Sequence, residues 1–388
     1  MITLTWSIYN AYVPPILDRL LSHLTYSDTA VGLIMTFDNI AAILLIPFFG
    51  ALSDQTWTRF GRRLPFLLVS MPIAAVFFAA IPFFGFSLLA IIPVIVIMNI
   101  GMAAFRAPTV ALMPDLTPSS HRSQANGVVN FMGGLGALVF YFGFTTIFGE
   151  ETAMAFVVAA ILMFVVLAIL MATIREPKDN FEESEKRPTG IITSLFKIIN
   201  DPEGSPRMLF FAIFMWFIGW NGVETFFTLY GAEKWGMPEN QAAFYLGFFS
   251  LSFLIMAIPS GYIAKAFSRK KIILVGLAGM CLMLAAFYFA SPIPLAIGLL
   301  VSGGVFWAMI NINSYPMVAD MAPAVQLGTY TGLYYFFSMM AAIVAPPIFG
   351  LVMDVLGTRL VLFPMAALAY LGALFLMTRV RRGEANLG

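Results

Sequence analysis

The sequence predicts an all-α membrane protein with twelve transmembrane helices arranged as two six-helix bundles. Its residues are 60% hydrophobic and only 11% charged, and its mean hydropathy of +0.90 lies far above that of soluble domains. Twelve apolar runs each have about the length that is needed to cross the hydrocarbon core of a bilayer. One polar stretch in the middle of the chain separates the first six runs from the last six.

The N-terminal bundle is assigned to residues 1–175. Short segments containing Gly, Pro and charged residues separate its apolar runs, as expected of the ends of membrane helices. The first run begins almost inside the bilayer and leaves no residues for a cytoplasmic lead-in, so we expect a shortened start. The predicted spans are residues 2–22, 30–52, 64–84, 88–112, 124–147 and 153–174.

A cytoplasmic linker is predicted at residues 176–206, where acidic and basic residues are dense and four prolines interrupt the chain. Such a segment cannot lie in hydrocarbon, because each ionised group there costs several kcal/mol. The C-terminal bundle is assigned to residues 207–388. Its predicted spans are residues 207–231, 241–264, 272–290, 294–316, 328–350 and 360–378.

The basic residues predict the orientation of these spans. If the loop after the second span is cytoplasmic, 17 of the 21 basic residues fall on the cytoplasmic side, three fall outside, and Arg106 falls within a span. Short loops that stay in the cytoplasm are enriched in Lys and Arg. We therefore expect an integral protein of the plasma (inner) membrane with both termini in the cytoplasm.

The two halves of the chain repeat short patterns at nearly constant offsets. Such six-plus-six repetition is typical of transporters in which two bundles move about a site at their interface. Two patterns match at an offset of 211 residues and one triplet matches at 205: Tyr9-Asn10-Ala11 with Trp220-Asn221-Gly222, Gly50 with Gly261, and Asp115, Pro118 and Gly127 with Asp320, Pro323 and Gly332.

The loop from Gly50 to Phe66 holds one acid and three arginines between two long apolar runs. Its pattern Gly50-x-x-x-Asp54 followed by Arg59-x-Gly61-Arg62-Arg63 resembles the signature loop of the major facilitator superfamily. The longer string through Pro65-Phe66 is similar to that of the sucrose-transporter-like branch, which is related to the glycoside-pentoside-hexuronide cation symporters. Tyr9 to Tyr12, Asp38-Asn39 and the segment Ala107 to Pro118 also fit that branch.

The resemblance implies the major facilitator fold and a gate at the cytoplasmic ends of the helices. In family members the acid of the loop caps a helix of the opposite half, and this role is carried over to Asp54. The second copy has Lys265 in place of the acid, with Asp320 as a candidate counter-charge. The alternative is that the basic residues of these loops only set the orientation of the helices in the membrane. The candidate gating residues are Gly50, Asp54, Arg59, Gly61, Arg62, Arg63, Asp115, Arg122, Lys265, Arg269 and Asp320.

One departure from the family concerns the coupling ion. Sodium-coupled relatives have an acid immediately before the proline at Pro47 and another one turn earlier, whereas this sequence has Ile46 and Ala42. The resemblance therefore predicts that their sodium site is absent, which favours proton coupling or facilitated diffusion.

Three charged residues lie in the interior of predicted spans, away from the span ends: Asp38, Arg106 and Glu224. Ionisable groups in membrane spans are costly unless they are paired or face water, and they often mark proton pathways. An Asp that pairs with an Arg in one conformation only could bind a proton in the other. We expect Asp38 to be the proton site and Arg106 its partner, with a static buried ion pair as the alternative.

Aromatic and amide side chains recur at helical spacing in several spans. Sugars are bound by aromatic faces and by amide or carboxylate groups that take the hydroxyls. Aromatic residues of the membrane interface and interhelical Asn hydrogen bonds are the alternative. The candidate substrate-binding residues are Trp6, Tyr9, Asn10, Asn126, Asn130, Trp216, Trp220, Asn221, Trp307, Asn311 and Tyr315.

These observations predict a monomeric secondary transporter of a sugar or glycoside, coupled to protons and working by alternating access. A lipid or amphiphile carrier of the same fold and a transport-dead sensor or scaffold are the alternatives. We expect no enzymatic activity, no cofactor, no metal site and no nucleic-acid partner, since the chain shows no such residue pattern and its net charge is +1.

Overall fold

The computed structural model describes residues 1–22, 27–116, 122–176, 203–321 and 327–382. Within these ranges some helical side chains, among them Asp54, Asn126 and Lys265, lie outside the description. The described chain is helical, and a single isolated backbone bridge joins Thr58 to Gly61.

The first half of the chain contains eight α-helices among its described residues. A 3-10 turn at Ile81–Phe84 extends α4, and a π-helical turn at Val139–Phe144 joins α6 to α7. The helices are α1 (Ile2–Ser22), α2 (Asp28–Met35), α3 (Phe37–Gln55), α4 (Leu64–Ala80), α5 (Leu88–Leu116), α6 (Arg122–Leu138), α7 (Thr145–Phe148) and α8 (Thr152–Thr173).

The second half contains six longer α-helices in the part of the chain that the structure describes. A 3-10 turn at Arg359–Val361 precedes the last of them. They are α9 (Ser205–Trp235), α10 (Glu239–Phe267), α11 (Arg269–Tyr288), α12 (Ile293–Met321), α13 (Leu327–Leu356) and α14 (Leu362–Thr378). The predicted linker at 176–206 lies largely outside the described residues.

Eleven helical stretches of the described chain are long and apolar enough to cross a membrane. They correspond to the second to twelfth predicted spans. The first predicted span forms helix α1 but is not among the eleven, because Asn10, Asp18 and Arg19 lower its hydropathy. Large apolar side chains cover the outer surface of these helices, and Leu89 and Val355 are 89% and 76% exposed. Such a surface suits hydrocarbon rather than water.

Contacts divide the chain into two compact units, Met1–Lys186 with Glu239–Gln241, and Arg187–Pro238 with Ala242–Gly388. Small residues allow close helix packing inside each unit. A Cβ added at Gly101 of α5 would lie 3.0 Å from the backbone nitrogen of Ala74 in α4, and one at Gly304 of α12 would overlap the carbonyl oxygen of Phe249 in α10. Larger side chains at these two positions would force the helices apart.

Candidate functional site: a charged cavity and a gate network

A small cavity lies among α1, α3 and α5 of the first unit; we call it the central cavity. Its volume is about 10 Å³, which is roughly the space required by one water molecule. The predicted residues Trp6, Asp38 and Arg106 line it together. The remaining lining residues are Ile2, Ala42, Asn99, Met102, Ala103 and Phe105.

A break at Thr36 positions Asp38 in this cavity. The helical run of the second span is interrupted there, so that Asp38 lies in the first turn of α3. One carboxylate oxygen of Asp38 accepts hydrogen bonds of 2.7 Å from both the backbone N–H and the side-chain amide of Asn39. A helix N-terminus also favours a negative charge. Discontinuous membrane helices are a common way of building ion and substrate sites.

Arg106 lies on the side of α5 that lines the cavity. Asn99, Ala103 and Arg106 recur there at steps of three or four residues. The charge of Asp38 acts favourably on the Arg106 guanidinium. The arrangement thus places a carboxylate and a guanidinium around the same water-sized space.

Asn99 was not predicted from the sequence. Its side chain is only 2% exposed, and neither its amide oxygen nor its amide nitrogen has a hydrogen-bond partner within the described part of the chain. The fully buried Tyr9 hydroxyl lies close to it but makes no hydrogen bond of normal geometry with it. Leaving a buried amide unsatisfied costs about 1–3 kcal/mol. A signal was available, since Asn99 lies seven residues before Arg106 on the same helical face.

The other candidate substrate residues of the first unit are less well defined. Trp6 packs edge-on against Tyr9, with ring centroids 5.4 Å apart, and Asn10 is half-buried. Asn126 and Asn130 lie in α6, but their side chains are outside the description.

In the second unit the structure brings two predicted aromatic residues together. Trp220 of α9 stacks on Trp307 of α12, with centroids 5.0 Å apart and an interplanar angle of 11°, and also stacks on Phe249 at 4.8 Å. Trp216 is completely buried, and its indole N–H has no partner among the described residues. In this conformation these rings contact one another, and Trp216 presents no exposed face to a ligand.

The polar candidates of the second unit are partly engaged within it. The Asn221 amide donates to the Phe217 carbonyl at 2.7 Å, and the Tyr315 and Thr331 hydroxyls share a hydrogen bond of 3.2 Å. Asn311 and Glu224 are half-buried.

Three candidate gating residues of the first unit, Arg62, Arg63 and Asp115, form a paired network, which we call the gate network. The Asp115 carboxylate accepts from the Arg62 guanidinium at 2.6 and 3.3 Å and from Arg63 Nε at 3.0 Å. Arg63 also donates to the Ser53 hydroxyl. Both arginines are less than 10% exposed, so water and salt screen these ion pairs less than they screen surface pairs. The side chains of Asp54 and Arg122 lie outside the description, and Gly50 is a half-buried residue of α3.

Glu176 completes this network and was missing from the sequence-based candidates. Its carboxylate accepts backbone hydrogen bonds of 2.9 Å from Arg62, Arg63 and Leu64, the residues that start α4. These N–H groups have no partner inside the helix, so that the carboxylate caps them and complements the positive helix end. Gly61 has φ +102°, and a Cβ there would lie 2.7 Å from the Glu176 carboxyl carbon. Only glycine fits this position without strain.

The second unit has a simpler version of the same network. Arg269 forms an ion pair with Asp320 and donates to the Pro316 carbonyl at 3.3 Å. Lys265 has no described side chain. Among the described residues no group of three or more His, Cys, Asp or Glu side chains is arranged to hold a metal ion.

Comparisons with known proteins identify a transporter family. The sequence profile described as Major Facilitator Superfamily matches residues 1–246 and 209–387. A curated relative, the isoprimeverose transporter of Lactiplantibacillus pentosus, is 25% identical over 282 residues, which are 65% of this chain and 54% of that protein. The chain thus matches about half the length of this relative.

Solved structures share the fold at low identity. A mutant of the nucleoside transporter NupG has a TM-score of 0.77 at 14% identity over 98% of both chains. A D-xylose-proton symporter has a TM-score of 0.71 at 17% identity over 98% of this chain and 96% of its own. A mutant of the fucose:proton symporter FucP of E. coli has a TM-score of 0.59 at 14% identity over 98% of both chains.

Proposed function

Because the chain belongs to the major facilitator superfamily, we propose that it is a secondary transporter that moves a sugar or glycoside by alternating access and uses protons as the coupling ion. Its relatives are membrane transporters rather than enzymes. The observation that carries the proposal is the central cavity, where Asp38 and Arg106 share a water-sized space inside the membrane-spanning helices.

Asp38 is the proton-binding group in this proposal. While Arg106 lines the same cavity, its positive charge favours the ionised carboxylate of Asp38. A conformation that separates the two would leave the carboxylate in apolar surroundings, where it binds a proton. Coupled transport then follows if the sugar and the proton both bind more tightly to the same conformation. Each ligand then raises the affinity of the protein for the other by the same factor.

The cargo assignment rests on relatives and on the chemistry of the cavity. One curated relative is named as an isoprimeverose transporter, and two structural neighbours are named as proton symporters of xylose and fucose. Trp6 supplies an aromatic surface next to Asp38 and the unsatisfied amide of Asn99. Aromatic, amide and carboxylate groups together suit a ligand that is rich in hydroxyl groups. In this proposal the sugar meets them in a conformation in which the water-sized central cavity has widened.

The gate network has a supporting role in the proposal. Ion pairs hold adjacent helix ends together in each unit. They join Asp115 to Arg62 and Arg63 in the first unit, and Asp320 to Arg269 in the second. Breaking such pairs in one conformation changes its free energy by a few kcal/mol, which is enough to shift a two-state equilibrium. We place this network on the cytoplasmic side of a plasma-membrane protein, as the distribution of basic residues predicts.

The test of cargo is uptake by proteoliposomes that contain the purified protein. A panel of radiolabelled sugars should include xylose, fucose, isoprimeverose, sucrose and a nucleoside, with inward proton and sodium gradients imposed separately. We expect at least one sugar to accumulate under the proton gradient and not under the sodium gradient. Accumulation of the nucleoside alone, or of none of the compounds, would contradict the sugar assignment.

A further inference from the structure

A second, larger cavity lies at the end of the first unit that carries the gate network; we call it the turn cavity. Its volume is about 630 Å³, within the range of about 300–1,000 Å³ that is common for small-molecule sites. One wall is the turn from Trp57 to Gly61 together with Leu64, and the other is the end of α8 and the residues that follow it, Met171, Ile174, Arg175 and Glu176.

The walls of the turn cavity are fixed by hydrogen bonds. Thr58 and Gly61 exchange two backbone hydrogen bonds of 3.0 Å, and the Thr58 hydroxyl donates to the Gly61 carbonyl at 3.0 Å. The backbone hydrogen bonds from Arg62, Arg63 and Leu64 to Glu176 attach this turn to the segment that follows α8. The cavity is therefore preformed, which lowers the entropy cost of binding a ligand.

The turn cavity carries an excess of positive charge. Arg59 and Arg175 line it, and within the described ranges neither guanidinium has a carboxylate partner, in contrast to Arg62 and Arg63, which share Asp115. The carboxylate of Glu176, the acid in its lining, accepts the backbone hydrogen bonds that start α4. Arg59 lies over the Phe60 ring, with 4.7 Å from the guanidinium carbon to the ring centroid.

Most of the other lining residues are apolar or aromatic. Trp57, Phe60, Met171 and Ile174 contribute ring and aliphatic surface next to the two arginines. The cavity therefore combines two cationic groups with an apolar wall, at the end of membrane-spanning helices. This combination suits an anionic ligand that also has an apolar part or a sugar ring.

We propose that the turn cavity binds the phosphate group of a phosphate ester, held by Arg59 and Arg175. Guanidinium groups bind phosphate through pairs of charge-assisted hydrogen bonds. Basic pockets between membrane helices bind anionic lipid headgroups, and a soluble phosphate ester offers the same group. A bound phosphate would bridge the turn to the end of α8 and hold the gate network in its present arrangement. The proposal is independent of the cargo and of the coupling ion.

The test is a binding titration of the purified full-length protein in detergent, followed by the fluorescence of Trp57. The probes are short-chain phosphatidylglycerol, short-chain phosphatidylcholine, glucose 6-phosphate and inorganic phosphate. The Trp57→Phe variant gives the background from the other five tryptophans. If the phosphate group comes from a lipid, we expect a saturable change in Trp57 fluorescence with phosphatidylglycerol. If it comes from a soluble ester, we expect this change with glucose 6-phosphate. In either case phosphatidylcholine should bind weakly, because its quaternary ammonium group cancels the charge of its phosphate and is repelled by the two arginines.

The variants decide whether the two arginines make the site. Arg59→Gln and Arg175→Gln should each weaken binding about tenfold, since a lost charge-assisted hydrogen bond has at least this effect. Arg379→Gln is the matched control, because Arg379 also lies over an aromatic ring, that of Phe375 at 4.1 Å, but does not line the cavity. Equal affinity in the wild type and both cavity variants, or no saturable signal with any probe, would overturn the proposal.

Discussion

Replacing Glu176 with Gln tests whether this single side chain holds the turn from Trp57 to Gly61 and the start of α4 against the end of α8. One carboxylate oxygen accepts from Arg63 and Leu64 at 2.9 Å, and the other accepts from Arg62 at 2.9 Å and from Arg63 at 3.1 Å. A Gln side chain keeps one acceptor and turns the other into an NH2 donor. At least one backbone N–H at the start of α4 then faces a donor instead of an acceptor.

The size of the effect follows from these contacts. A hydrogen bond to a charged group contributes about 1.5–3 kcal/mol, and the bonds that remain lose their charge assistance. We therefore expect Glu176→Gln to lower the free energy of unfolding by about 2–4 kcal/mol. The matched control is Glu203→Gln, because Glu203 pairs with Arg382 where both side chains are more than a third exposed. Exposed pairs contribute only about 0–1 kcal/mol.

Unfolding of both variants can be followed by tryptophan fluorescence during a graded SDS titration in mixed micelles, with Trp57 close to the substituted site. The same preparations should be reconstituted to measure sugar uptake, where we expect Glu176→Gln to change the uptake rate more than Glu203→Gln does. Equal stability of the two variants would refute the claim that Glu176 fixes the turn.

Three further predictions concern single contacts. Gly61→Ala should lower the free energy of unfolding by at least about 1–2 kcal/mol because of the positive φ at this position, and the added Cβ should also displace Glu176. Gly298→Ala, where a Cβ meets open space, should be neutral or stabilising in the same SDS titration. Asn99→Leu should raise the free energy of unfolding by removing a buried unsatisfied amide, and yet reduce uptake or shift its pH profile. Met98→Leu, at a buried neighbouring position, should leave uptake unchanged. Unaltered uptake in Asn99→Leu would show that Asn99 is not part of the site. Arg269→Gln and Asp320→Asn should each alter the uptake rate, and the double variant should differ from the sum of the two effects; strict additivity in the cycle would show that the pair is not coupled.

The fold could be predicted largely from hydropathy, because apolar runs must be helical in hydrocarbon. Predicted and observed helices agree in position, but several extend beyond the apolar run, as α12 does to Met321 and α13 to Leu356. Backbone hydrogen bonding continues into the residues beyond each apolar run, where hydropathy no longer indicates a helix. The break at Thr36 was also not predicted, since neither Pro nor Gly marks it.

The candidate site could be predicted only in part. Asp38 and Arg106 are visible in the sequence because charge inside a span is rare, and the structure places both at the central cavity. Glu176 could not be assigned, because its partners lie more than 110 residues away and are backbone groups without a sequence signature. The stacking of Trp220 on Trp307 likewise depends on the packing of α9 and α12, whereas the helical spacing of each span gives only the face on which each residue lies.

Proton-driven uptake by the Asp38→Asn variant is the most direct test of the proposed mechanism. Asn has the shape of Asp but cannot take up or release a proton near neutral pH. Proteoliposomes with the wild type, Asp38→Asn and the Glu203→Gln control should be loaded with the sugar that the panel identifies. They should then be assayed for exchange at equal pH and for accumulation under an inward proton gradient. The proposal predicts that Asp38→Asn retains exchange but loses proton-driven accumulation, while the control keeps both. Proton-driven accumulation by Asp38→Asn at the wild-type level would contradict it.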